Sequence, residues 1–71
     1  MPAKPEAAVL VADLLTLLWE NQLATAAALD ELTLWARSQG ATVVYDNVIG
    51  ALETLDRNAS AIADGITALR R

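Results

Sequence analysis

From Ala41 to Leu69 the chain reads ATVVYDNVIGALETLDRNASAIADGITAL, and this stretch decides the fold. Stepping through it alternately by four and three residues meets Ala41, Tyr45, Val48, Leu52, Leu55, Ala59, Ile62, Ile66 and Leu69, apolar at every position. Residues so spaced line one side of an α-helix, and the repeat is the coiled-coil one that holds two helices along each other. Glu53 and Arg57 stand at i and i+4 away from that side, in the favourable order for an exposed ion pair. Arg70 and Arg71 end the segment with the sign of charge that suits a helix C-terminus. A helix over about residues 43–69 follows.

Working upstream, Gly40 offers the left-handed residue that commonly ends a helix, and Thr42 is the expected N-cap of the next one. No Glu or Gln three residues later completes a capping box. Between Glu6 and Gln39 there is neither Pro nor Gly. Pro5 fits a first helical turn, where its missing N–H costs nothing, and Glu6 complements the helix dipole there. A first helix over about residues 5–39 would be roughly 50 Å long. The connection at 39–42 is so short that the two helices must lie side by side and antiparallel. Residues 1–71 therefore read as one all-α domain, a long helical hairpin.

The same stepping through the first helix meets Val11, Leu15, Leu18, Gln22, Thr25, Leu29, Leu32 and Ala36. The expected hairpin seam thus joins Leu15, Leu18, Leu29 and Leu32 to the apolar repeat of the second helix. Facing positions in a hairpin centred on Gly40 sum to about 80, which sets Gln22 near Ala59 and Thr25 near Leu55. Polar side chains in a seam commonly fix register at some cost in stability; the alternative is a small polar pocket inside a bundle.

One seam does not use up the apolar residues of the first helix. Leu10, Leu14, Leu17, Ala24, Ala28 and Trp35 lie on one flank, and Trp19, Leu23, Ala26 and Leu34 on the other. Only Asp13, Glu20, Glu31 and Ser38 make a consistently polar strip. A helix with a single partner needs an apolar stripe of little more than about 100°. The first flank is therefore the expected interface with a further partner, most simply a second copy, giving a homodimeric four-helix bundle. The second helix carries a stripe of small and amide side chains beside its seam, Asn47, Ala51, Thr54, Asn58, Ala61 and Gly65, which is either a solvated face or a contact surface.

Size points the same way. Seventy-one residues form a small core, and such chains add disulfides, metals or oligomerisation. There is no Cys and no His, which leaves oligomerisation. The chain is 55% apolar, mostly Ala and Leu, the strongest apolar helix formers. Arg outnumbers Lys four to one on an Ala-rich background, a composition associated with GC-rich bacterial genomes.

Charge and residue types exclude most chemistry. With a net charge of −4 and no basic stripe, the chain repels phosphate, so neither nucleic acid nor an anionic membrane surface is an expected partner. The apolar run Val9–Trp19 is interrupted by Asp13 and falls short of the roughly 20 residues of a membrane span. The start, M-P-A-K-P-E, carries less positive charge than a secretion signal wants. Together with the lack of Cys this makes the cytoplasm the expected compartment. Ser38 and Ser60 have no His to activate them, and there is no Cys nucleophile. The acids Asp13, Glu20, Asp30 and Glu31 lack the histidines of a carboxylate di-metal bundle, and Asp13, Glu20 and Glu31 share an outer face. No catalytic residue, metal or cofactor is expected. The turn Ser38-Gln39-Gly40-Ala41 lacks the Trp-x-Gly of small helical-hairpin secretion proteins, so no family follows from it. What remains is a small non-enzymatic protein acting through contact, as a self-associating adaptor or regulator. Two other readings are a carrier or sensor of a small apolar ligand held in the bundle core, and a structural subunit of a larger assembly.

Overall fold

A computed structural model describes residues 5–71, which form two helices, α1 (Pro5–Ser38) and α2 (Thr42–Arg70). Met1–Lys4, part of the start weighed above as a targeting segment, lie outside the described residues. The helices pack against each other antiparallel, and no strand occurs among the described residues.

Gly40 makes the reversal possible. Its φ of 76° is left-handed, where a side chain would clash with its own backbone. From that conformation the Gly40 N–H donates to the Arg37 carbonyl and the Ala41 N–H to the Ala36 carbonyl, at 3.1 and 3.0 Å. Two of the carbonyls left over at the end of α1 are thereby satisfied, in the pattern of a Schellman turn. The N-cap of α2 is Ala41, not Thr42, and no side chain caps it. The tight turn places Ala41 where the expected cap would stand, and Thr42 becomes the first helical residue.

The α2 side of the contact contains Leu52, Ala59 and Ile66, all buried, with Tyr45, Val48, Leu55 and Ile62 half-buried between them. Leu69, near the open end of the hairpin, is 38% exposed. On α1 the expected repeat is out of phase. Leu15 and Leu29 do face α2, but Leu18 and Leu32 are each 62% exposed, and Val11 and Thr25 also point away. The residues turned inward are Ala12, Trp19, Ala26 and Thr33, with Gln22 and Ala36 common to both phases.

Both phases share one row of positions and differ in which neighbour fills the gaps. Large leucines on α1 would meet Leu52, Leu55, Ile62 and Ile66 on α2 and force the helices apart. Ala12, Ala26 and Thr33 put less bulk at the alternate positions, which shortens the distance at which two helices can pack. Trp19 is accommodated because its indole N–H finds the Ala59 carbonyl, 3.1 Å away. Next along the seam, the Gln22 amide donates to the Leu55 carbonyl at 3.0 Å. Gln22 therefore lies one layer nearer the turn, along α2, than the expected contact with Ala59, and Trp19 takes that place. Each acceptor carbonyl has a second lone pair beside the one used within the helix.

The result is thin. The hairpin measures 53 × 16 × 13 Å, with a radius of gyration of 16.3 Å. A compact chain of this length would have a radius of about 11 Å. Its accessible surface is 5392 Å², against about 4,200 Å² for a typical folded monomer of this mass.

Candidate interaction surface

Excluding Leu18 and Leu32 from the seam enlarges the apolar surface of α1. Val11, Leu14, Leu18, Leu32 and Trp35 are between 45% and 64% exposed, and Val44 of α2 joins them at 52%. Leu10 and Leu17 are more than half exposed, and Ala24 and Ala28 also face outward. Every member of the flank expected to meet a partner is thus on the surface of the single chain. Sequence reasoning placed Leu18 and Leu32 in the wrong set and left Val44 out altogether. A signal for the larger set was present: steps of three and four from Val11 pass through Leu14 and Leu18 and end on Leu32 and Trp35.

This surface has one concave part. Beside the turn, Leu29, Leu32, Trp35 and Ala36 of α1 and Val44 and Val48 of α2 border an open, almost wholly apolar groove of about 320 Å³. The groove fixes handedness, because it sets Leu32 of α1 and Val44 of α2 on the same side of the hairpin. On the opposite side, Trp19 and Leu23 border a second groove with Asp56, Ala59, Ser60 and Ala63, which is more polar.

The polar residues are largely occupied within the chain. Gln22 is engaged in the seam. Thr25 donates to the carbonyl of Asn21 on its own helix at 2.9 Å, so the two do not converge on a shared pocket. Buried Thr33 is satisfied by the Leu29 carbonyl. Among the described residues no buried side-chain polar atom lacks a partner. Asp13 pairs with Arg70 across the open end at 3.0 Å, and the same guanidinium donates to Thr16 at 3.2 Å. Arg57 does not take up the expected pairing with Glu53; it donates to Thr54 at 3.3 Å. The Arg37 guanidinium lies over the Tyr45 ring, 5.7 Å from its centre, and covers the turn end of the seam. Among the described residues no three acids converge as metal ligands would.

The length of α1 bears on one expectation. The run Val9–Trp19 falls short of a membrane span by itself, but by length and composition alone the helix contains a window apolar enough to cross a membrane. Little of that window is buried within the chain. A helix that pairs with a protein partner on two sides meets the same description. Comparison with protein families, curated proteins and solved structures finds no match to this chain.

Proposed function

We propose that this protein is a non-enzymatic interaction module whose primary act is self-association, two hairpins forming a homodimeric four-helix bundle. The observation that carries the reading is the outward face of α1. Leu14, Leu18, Leu32 and Trp35 are each more than half exposed, while among the described residues only two large side chains, Leu52 and Ile66, are buried. Covering what each of the four still exposes is worth about 1–2 kcal/mol, and together they rival the stability of a whole small domain. A monomer would forgo that energy and present an aggregation-prone patch. In a cytoplasmic setting such a dimer would serve as a small adaptor or regulator.

Sedimentation equilibrium tests the reading. The expected mass is twice the 7.5 kDa of the chain at micromolar concentration. A folded, stable monomer under those conditions overturns it, and particles far larger than a dimer favour a structural subunit instead. The apolar groove beside the turn favours a second reading, carriage of a small apolar ligand. Binding of an environment-sensitive dye at dimer concentrations, displaced by fatty acids, supports carriage.

A further inference from the structure

Resting on the self-association reading, we infer that a second copy lies antiparallel along the outer stripe of α1, with the two-fold axis level with residue 23. The stripe is spaced by threes and fours and reads the same from both ends about that level. Val11 stands opposite Trp35 of the other copy, Leu14 opposite Leu32, Leu18 opposite Ala28, and Asn21 opposite Thr25. Each layer matches. Large side chains meet small or flat ones at the first and third levels, and two leucines meet at the second. The polar residues fall together in the middle, where the Asn21 amide can donate to the Thr25 hydroxyl oxygen, whose own proton goes to a backbone carbonyl.

Other registers lose this matching. A slip of seven residues one way sets Leu18 against Asn21 and Leu14 against Thr25; the opposite slip sets Asn21 against Leu32. Either buries an amide against hydrocarbon, which is costly without a compensating hydrogen bond. Charge allows the pairing as well. On a chain of net charge −4, none of the stripe positions carries a charge, so two copies can approach here without repulsion.

Area and the second helix agree. The chain exposes roughly 1,200 Å² more than a typical monomer of its mass, comparable with the about 800 Å² that each partner contributes to a standard interface. The seam bonds from Trp19 to Ala59 and from Gln22 to Leu55 place residue 23 of α1 level with residues 54–55 of α2. The same axis therefore brings Val44 opposite Gly65 of the other copy, and Ala51 opposite Asn58. Gly65 has open space where a Cβ would stand, so nothing within the chain calls for glycine there. A valine arriving from the second copy does.

The chain has no cysteine, so introduced thiols report alone. Leu14→Cys and Leu32→Cys chains are prepared separately, then mixed through unfolding and refolding, and oxidised or bridged with a short bis-maleimide. Helicity is checked by circular dichroism. The mixture is expected to give a covalent 14–32 dimer, while neither variant alone links, because each thiol lies roughly 27 Å along the helix from its own copy. Leu18→Cys with Ala28→Cys is the second pair and should behave alike. Linkage of Leu14→Cys chains to one another shows a parallel pairing and overturns the inference. A dimer by sedimentation with no link in either mixture overturns the register while self-association stands. A monomer that inserts into phosphatidylcholine vesicles overturns both.

Discussion

The two helices use the same Ala- and Leu-rich palette to opposite ends. In α2 the large residues fall on one side and are used within the chain, with Leu52 and Ile66 buried. In α1 the side facing α2 is built from Ala12, Trp19, Gln22, Ala26 and Thr33, while most of its leucines face outward. The difference teaches that a hydrophobic repeat identifies a surface without saying who covers it. Where two overlapping repeats compete on one helix, the intramolecular partner takes the one it can approach most closely. The bulkier repeat is left for the outside.

Substitutions that treat the two helices differently test this division. Leu52→Asp places a charge in the middle of the buried seam, a change expected to cost upward of about 4 kcal/mol and to unfold a domain of marginal stability. Circular dichroism should show loss of helicity at 25 °C. Trp35→Glu changes the outer stripe alone. Helicity at high concentration should survive, whereas the dimer dissociation constant from sedimentation should rise by about 1–2 kcal/mol equivalent, less than a central anchor would cost because Trp35 stands at the end of the paired stripe. If Trp35→Glu unfolds the chain at every concentration while Leu52→Asp is tolerated, the roles assigned to the helices are reversed.

How much of this was legible in the residues differs along the chain. The hairpin was legible, because the α2 repeat is unbroken and Gly40 is the only glycine or proline between Glu6 and Ile49. The phase of α1 was not. Hydrophobicity favoured Leu18 and Leu32, and the outcome rested on size and on two hydrogen bonds to carbonyls of α2 that only the folded geometry reveals. The N-cap was misjudged for a related reason: the Schellman hydrogen bonds of the turn fix Ala41 at that position whatever the side chain of Thr42 offers. The outward flank of α1 was visible as a surplus of leucines, although its full extent became clear only once the seam had been fixed.

A comparable effect sharpens the account of the α1 phase. Trp19→Phe keeps an aromatic ring in the seam but removes the donor to the Ala59 carbonyl and the bulk of one fused ring. The expected loss is about 1–2 kcal/mol, read as a lower urea midpoint with unchanged slope. A loss near zero would mean that ring packing alone turns Trp19 inward.

The smallest expected effect concerns the open end of the hairpin. Arg70 binds both Asp13 and Thr16, yet the paired side chains are 43% and 59% exposed. Water screens such a pair, and ordering a long side chain offsets much of the attraction. Arg70→Ala should therefore lower global stability by less than about 0.5 kcal/mol, with any difference from the parent vanishing in high salt. Amide exchange is the more telling readout, because the contact ties the last turn of α2 to α1 where Leu69 is only partly covered. Faster exchange confined to the last turn of α2, with the middle of the seam unchanged, would show a clasp against fraying. Faster exchange throughout both helices would mean that the ion pair, and not the apolar repeat of α2, sets the stability of the hairpin.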